Sequence, residues 1–480
     1  MTTMLHYLFY FVDTIIFVFG TIILSIYIIM GVFSASALYR YIHKNKFIDY
    51  AVILSSDVAP HVSILAPAYN EGKNVVDNVR SLLSLNYVNL EIIIINDGSN
   101  DDTMQKLIAN YLLKPVNFAV DYKIACNEIR GVYKSENKAF QKLIVIDKVN
   151  GGKADALNAG INISRSELIM SIDVDCIVES DAILKMVKPF IEETERKVIA
   201  SGGVIRVANN CEVGIGKINK VRFPNKLIAG FQVLEYSRAF ILGRMAWSKI
   251  NGLLLISGAF GMFDKELVIK VGGYNNKTVG EDMELVVRMR TYMHDNKLGK
   301  YIVSFIPDPL CWSEVPDTLK VLGRQRNRWT RGTMQTLFIH KKIFLNVKYK
   351  LLGLISYPYW FFFEWLAPIV EVLGLIYFTV LIVLGFVSWP LFLALTTLLY
   401  SFAFMLTLFS ILYEEATFNA YKRKTDILKM IGLALLEPII YHPLVVFWAI
   451  KGNISYLMGY KAWGKMERTG FAKKKEEDIL

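Results

Sequence analysis

The sequence predicts an α/β domain, built on a mainly parallel sheet and flanked by transmembrane α-helices. Three observations lead there. The chain of 480 residues is 54% hydrophobic with a mean hydropathy of +0.36, too apolar for a wholly soluble protein. Its long charge-poor stretches lie near both ends while Lys, Arg, Asp and Glu crowd the middle. Within that middle, short apolar runs end in polar, glycine-bearing loops that open into helical patterns, the rhythm of a parallel sheet whose ligands bind at the carboxyl ends of its strands.

From Leu8 to Phe33 the chain is almost wholly apolar, enough to cross a bilayer core of about 30 Å. It has no basic leader and no small-residue cleavage site, so it reads as a membrane helix rather than a cleaved signal. The basic cluster Arg40 to Lys46 follows it and, by the positive-inside rule, sets the middle domain in the cytoplasm. The net charge of +11 sits at the borders of apolar stretches and beside phosphate-type motifs. This pattern points to anionic lipid and a nucleotide diphosphate and away from nucleic acid. Cys126, Cys176, Cys211 and Cys311 are scattered without paired metal-ligand spacing, as expected of structural cysteines in a reducing compartment.

Val62 to Ala68 is a buried-strand pattern ending in Tyr69, Asn70, Glu71 and Gly72, and an amphipathic helix follows through Leu85. Glu91 to Ile95 is a second strand, ending in Asn96, Asp97, Gly98 and Ser99; Asp101, Asp102 and Thr103 then open a helix. Leu143 to Asp147 leads into Asn150, Gly151, Gly152 and Lys153, and into the helix Ala154 to Ile161. Leu168 to Ile172 ends at Asp173, Val174 and Asp175. The stretch Leu112 to Lys142 has mixed charge and little periodicity, the pattern of a surface excursion with a short edge strand.

Alternate aspartates at a strand end suit a hard divalent cation bridging a diphosphate, although Asp pairs in ordinary turns look the same. Lys153 faces either phosphate or solvent. Asp97 suits a base or ribose, and also a helix cap. Ser257, Gly258 and Ala259 form a small-residue turn that permits close approach to the backbone. Glu281 and Asp282 precede the helix Met283 to Met293. Asp282 is either a cap at the positive end of that helix or the general base that takes a proton from an attacking sugar hydroxyl. Gln325, Arg328 and Trp329, with Arg331 beyond, suit diphosphate binding and stacking on a sugar face, or equally a basic helix on a membrane surface.

Past residue 350 the apolar runs Phe363 to Val387 and Leu391 to Tyr413 form a helical hairpin, preceded by an interfacial segment, Leu352 to Phe362. Ile427 to Ile450 contains Glu437, Pro438, His442 and Pro443, so it is a kinked span or one that enters and returns. The basic tail favours an even number of crossings after the domain. Glu364, Glu371, Glu437 and His442 are equally suited to lining a polar passage and to bonding between helices.

Taken in order, Asp97-Gly98-Ser99, Asp173-x-Asp175, Ser257-Gly258-Ala259, Glu281-Asp282 and Gln325-x-x-Arg328-Trp329 resemble the processive membrane glycosyltransferases of family 2, the cellulose, hyaluronan, chitin and poly-N-acetylglucosamine synthases. The resemblance covers about residues 58–335. It implies a GT-A fold, inversion at the anomeric carbon, a UDP-sugar donor (UDP-N-acetylglucosamine or UDP-glucose), a polysaccharide acceptor, Mg2+ or Mn2+, and placement in the cell (inner) membrane. By that resemblance Tyr69, Glu71 and Asp97 hold uridine, and Lys153 and Asp173 hold ribose and phosphates. Asp175, with Asp173, holds the metal; Asp282 is the catalytic base. Ser257, Gly258, Glu281 and Trp329 face the acceptor, and Gln325, Arg328 and Trp329 contact the pyrophosphate and acceptor sugar. Ala462 to Arg468 loosely resembles a gating segment, and is equally an interfacial anchor. The expected plan is a membrane helix at 1–39, a basic linker at 40–57, the transferase domain at 58–335 and an interfacial segment at 336–362. A membrane region at 363–450 and a basic tail at 451–480 complete it, with room for an accessory export subunit. The competing reading is transfer of one sugar to a lipid acceptor such as a polyprenyl phosphate or ceramide.

Overall fold

The computed structural model describes residues 2–46, 59–214 and 216–460. Most of the 40–57 linker and the whole Ala462 to Arg468 segment lie outside the described residues. A long helix, α1 (Thr2–Asn45), leads the chain. It carries the basic residues from Arg40 to Lys44 in its last turns, so the helix itself runs on past residue 39.

The domain is a 10-stranded sheet. In chain order its first elements are β1 (Val62–Ala68), α2 (Val75–Leu83), β2 (Leu90–Asn96), α3 (Thr103–Tyr111), β3 (Leu113–Val116), β4 (Ile129–Ser135), β5 (Leu143–Lys148), α4 (Lys153–Ile163), β6 (Leu168–Ile172), β7 (Ile177–Val178) and α5 (Ala182–Glu192). Then come β8 (Lys197–Val207), a β9–β10 ribbon (Glu212–Gly214, Lys217–Lys220), α6 (Leu227–Ser237), β11 (Phe260–Asp264), α7 (Glu281–Asp295), β12 (Tyr301–Ser313) and α8 (Leu319–Ile339). The strand order is β3-β4-β5-β2-β1-β6-β11-β8-β12-β7. Strands β5, β2, β1 and β6 run parallel. Each is an apolar run buried on both faces, Ile92 to Ile95 being fully enclosed, as a sheet covered by helices on both sides requires. The stretch read as a surface excursion holds two strands, an antiparallel β3–β4 edge.

The chain moves outward from β1 to β2 and β5 on one side, and places β6 on the other. The crevice at the carboxyl ends of β1 and β6 is therefore the topological switch point, where such sheets bind ligands. Beyond β6 the sheet is mixed. β11 lies antiparallel to both β6 and β8, with Phe260 opposite Ile172, which sets the turn before β11 beside the aspartates after β6.

After α8 the chain forms short helical turns, Leu352–Ser356, Tyr357–Tyr359 and Trp360–Trp365, and then α9 (Ala367–Val383), α10 (Trp389–Phe418), α11 (Lys424–Leu436), a π-turn Glu437–Tyr441 and α12 (His442–Leu457). Among the described residues three helices are long and apolar enough to cross a membrane, namely Phe9–Asn45, Phe392–Phe418 and Lys424–Leu457. The segments Leu352–Trp365 and Ala367–Val383, bent by 42°, make a fourth if they act as one span. The run from 427 to 450 thus lies within one continuous helical segment, whose π-turn Glu437–Tyr441 falls where Pro438 and Pro443 cannot donate to the helical ladder. Leu234, Leu322, Ile411, Met430, Tyr441 and Trp448 share one buried cluster. It fastens the domain helices α6 and α8 to the membrane helices.

Candidate active site

Loops at the switch point build one end of the site. Lys153 is the first residue of α4, reached through Gly152 at φ +85°, a conformation that glycine adopts without a Cβ penalty. Its ammonium lies 2.5 Å from Asp173 Oδ1 and donates to the Gly258 carbonyl at 3.0 Å. Burial opposes the ammonium, but Asp173, Glu281 and Asp282 outweigh it and hold the Lys153 pKa above the ordinary lysine value.

Asp97 works one layer back. It is 3% exposed and accepts bonds from Gly151 N (3.0 Å), Gly152 N (2.8 Å) and Lys148 Nζ (2.7 Å). Lys148, itself fully buried, lies 2.5 Å from Asp155 as well. This buried triad shapes the loop that carries Lys153. Asp97 is thus a loop organiser, and the helix-cap alternative does not apply: α3 begins at Thr103, whose backbone N–H donates to Asp101.

Asp282 stands in the first turn of α7, one residue past its start. Its Oδ2 accepts from Gly258 N at 2.9 Å and its Oδ1 from Met283 N at 2.8 Å. The helix N-cap is Gly280, with no side-chain cap. A Cβ at Gly258 would stand 3.0 Å from that same Oδ2, so the small-residue turn is what admits the carboxylate. Glu281 is buried, and its pKa is pushed up to about 7 by that burial and by Asp282, with Lys153 and Arg328 opposing.

Helix α8 closes the other wall. Gly332 and Gly280 meet so tightly that a Cβ on Gly332 would lie 2.8 Å from Gly280 Cα. Gln335 Oε1 accepts from Thr278 Oγ1 (2.8 Å) and Val279 N (2.9 Å). The motif helix and the loop before Asp282 are thus locked together. Gln325 Oε1 is a buried acceptor with no hydrogen-bond partner among the described residues, and Trp329 remains 40% exposed.

One cavity of about 1620 Å³ gathers Lys153, Asp173, Asp175, Ser257, Gly258, Glu281, Asp282, Gln325, Arg328 and Trp329. Tyr69, Glu71 and Asp97 are outside its lining, at the ends of β1 and β2. The same cavity continues between the membrane helices, where Asp13, Tyr27, Glu364, Glu371, Glu437 and His442 line it beside Phe378, Phe392, Leu395 and Leu399. There the ionisable groups are engaged: Tyr359 Oη donates to Glu364 at 3.0 Å, His442 Nε2 lies 2.8 Å from Glu371, and Arg238 Nη2 donates to Glu437 at 2.5 Å. Each of these residues is thus bonded within the protein, as expected of groups that link helices, while it also lines the cavity.

Sequence reasoning missed Arg244. It lines the cavity in a π-helical stretch, Arg238–Arg244, and burial lowers its pKa to about 10, with Asp282 opposing the shift. Its Nη1 is buried without a hydrogen-bond partner among the described residues. The legible signal was one arginine inside the apolar run Ala239 to Trp247.

For a divalent cation the residues present that could serve are Asp175 and Asp173, two carboxylates that both line the cavity, with the Lys153 ammonium 2.5 Å from Asp173. No group of three or more His, Cys, Asp or Glu side chains assembles a metal cage among the described residues. The fit is to a hard cation that takes one or two carboxylates and completes its shell with phosphate oxygens and water.

Residues 168–411 match the family described as glycosyl transferase family group 2, and residues 63–120 match glycosyl transferase family 2. The chain is 28% identical over 466 residues to the poly-beta-1,6-N-acetyl-D-glucosamine synthase of Staphylococcus epidermidis, covering 95% of each chain. With the synthase of the same name from Staphylococcus aureus (strain COL) it shares 29% identity over 324 residues, 66% of this chain and 65% of the other. Among solved structures, a mannosyltransferase from Pyrobaculum calidifontis aligns at a TM-score of 0.48 and 15% identity, over 90% of this chain and 98% of its own.

Proposed function

The chain belongs to glycosyl transferase family group 2 and is a glycosyltransferase; we propose that it is an inverting membrane enzyme that extends a polysaccharide from UDP-N-acetylglucosamine and passes the product through its own helices. The single observation that supports this most is the unbroken cavity from Asp282 to the membrane residues Glu371 and Leu399. The names of the staphylococcal relatives support the donor and product.

In this reading Lys153 and Arg328 balance the charge of the diphosphate, and Trp329 stacks on the acceptor sugar at the cavity wall. Asp282, held by Gly258 N, takes the proton of the acceptor hydroxyl. The hydroxyl oxygen forms its bond to the anomeric carbon as the bond from that carbon to the phosphate oxygen breaks, and the bonding pair leaves with UDP. A single displacement inverts the anomeric centre. Asp175 and Asp173 would hold a magnesium or manganese ion, which supplies Lewis-acid neutralisation of the leaving diphosphate. The remaining assigned roles also belong to this proposal. Tyr69 and Glu71 approach the base from the rim, Asp97 acts by shaping the 150–152 loop, and Ser257, Gly258, Glu281 and Gln325 line the acceptor and pyrophosphate positions. The basic last turns of α1 favour a cytoplasmic catalytic face in a bacterial inner membrane.

The apolar side chains Phe378, Phe392 and Leu399 in the membrane part of the cavity favour a second reading, transfer of one sugar to a lipid acceptor. Purified protein in lipid, given each common UDP-sugar with Mg2+ or Mn2+, separates the two by product size. Long polymer from UDP-N-acetylglucosamine is expected. A single sugar on lipid would establish the second reading, and no UDP release from any donor would refute both.

A further inference from the structure

The cluster Gln325-Arg326-Asn327-Arg328-Trp329 contains two residues with no task in the scheme above, Asn327, which donates to Ser455 Oγ at 3.1 Å, and Arg326. Arg326 is 4% exposed and, with Glu235, borders the cavity, but its guanidinium is engaged within the protein. Its Nη2 donates to Glu235 Oε2 at 2.7 Å and to Tyr441 Oη at 3.1 Å, and Tyr441 Oη donates to the same Glu235 oxygen at 2.7 Å. The guanidinium carbon meanwhile lies 4.2 Å from the centre of the Trp329 ring. Planarity allows Arg to do both, stacking on an indole face while its edge donates hydrogen bonds.

The other two members tie this stack to the membrane. Tyr441 ends the π-turn inside the last membrane helix, and its ring stacks on Phe231 of α6 at 5.2 Å. Three residues on from Glu235, at the start of the π-helical stretch that continues α6, Arg238 grips Glu437, the first residue of that π-turn, and donates to Thr407 of α10 at 2.6 Å. The π-turn is thus held at both ends from α6 and the stretch that continues it, and its far end bears on the side chain that backs Trp329. Such π-turns recur where a helix must aim a group.

We infer that Glu235, Arg326 and Tyr441 form a positioning clamp that sets the orientation of Trp329 from the π-turn of the last membrane helix, and so makes acceptor alignment depend on that helix. The inference rests on the proposed polymer-forming reading and assigns no contact between the clamp and donor or acceptor.

The test uses full-length protein in lipid, with Tyr441→Phe and Glu235→Gln as near-isosteric changes that leave Lys153, Asp175 and Asp282 untouched. Donor hydrolysis without acceptor stays within about twofold of the parent. With a short N-acetylglucosamine oligomer as acceptor, the acceptor KM rises and elongation falls by about tenfold, the scale of a misaligned reacting group, and the products shorten. Arg326→Lys, which keeps the charge and loses the planar stack, behaves as the other two. Unchanged product length and acceptor KM in Tyr441→Phe and Glu235→Gln would overturn the clamp. An equal fall of hydrolysis and elongation would also overturn it, as the mark of a merely structural role. If the parent itself elongates nothing, the polymer-forming reading fails and the clamp falls with it.

Discussion

Replacing Asp282 by Asn tests the chemistry most directly, because the change preserves shape and removes only the capacity to take a proton. Two backbone donors, Gly258 N at 2.9 Å and Met283 N at 2.8 Å, point at opposite oxygens of this carboxylate. An amide can satisfy one of them, so the folded state loses one hydrogen bond, about 1 kcal/mol. That is a small share of a domain's stability of about 5–15 kcal/mol. Catalysis loses far more. A positioned general base is worth about 10²–10⁴ in rate, or about 2.7–5.4 kcal/mol of barrier at 1.36 kcal/mol per decade. UDP release by Asp282→Asn should therefore fall by at least a hundredfold. Donor affinity, measured separately by calorimetry in the same lipid, should change less than threefold. A variant that keeps more than about a tenth of the parent rate would refute the assignment of the base. Parallel loss of rate and donor affinity would refute it too, by making Asp282 a donor ligand.

Three further outcomes follow from the same geometry. Glu281, whose folded pKa of about 7 exceeds the usual 4.5, binds its proton more tightly when folded. Its contribution to stability is complete below pH 4.5 and is lost as pH rises through 7, so melting temperatures across that window should fall less steeply in Glu281→Gln than in the parent. Chelation should abolish activity that Mg2+ or Mn2+ restores, and Asp175→Asn should weaken Mn2+ binding about tenfold or more by electron paramagnetic resonance while Asp102→Asn, on the exposed start of α3, does not. Gly332→Ala pushes a methyl to within 2.8 Å of Gly280 backbone and should cost about 1–3 kcal/mol, seen as a lower melting temperature with the α7–α8 wall displaced.

The parallel half of the sheet was legible because each strand is a continuous apolar run closed by a polar loop, and burial on both faces leaves no other composition open to it. Hence Val62–Ala68 and Leu168–Ile172 appear almost residue for residue. The antiparallel partners were less so. Strand β11 is Phe-Gly-Met-Phe-Asp, too short and glycine-broken for periodicity to register. In the membrane part, apolar length marked the spans, but the extent of α1 through Asn45 and the 42° bend before α9 depend on packing against the domain, which hydropathy does not encode. Arg244 was passed over because a lone arginine inside an apolar run reads as a membrane border, whereas Arg326 stands in the Gln325 to Trp329 cluster, where spacing does not tell which arginine packs against a neighbouring helix.

The order of motifs and the apolar ends by themselves determined the family, the α/β class and the roster of polar residues, since each is a matter of residue type and spacing along the chain. Only the tertiary structure decided which of those residues share a cavity, because residues more than a hundred positions apart meet there through the crossing from β1 to β6 and the inserted β11. It also decided that Asp97 spends its carboxylate on a buried lysine and a glycine loop, and that the cavity runs on between the membrane helices. Such outcomes turn on distances of about 3 Å between distant segments, and spacing along a chain carries no such distances.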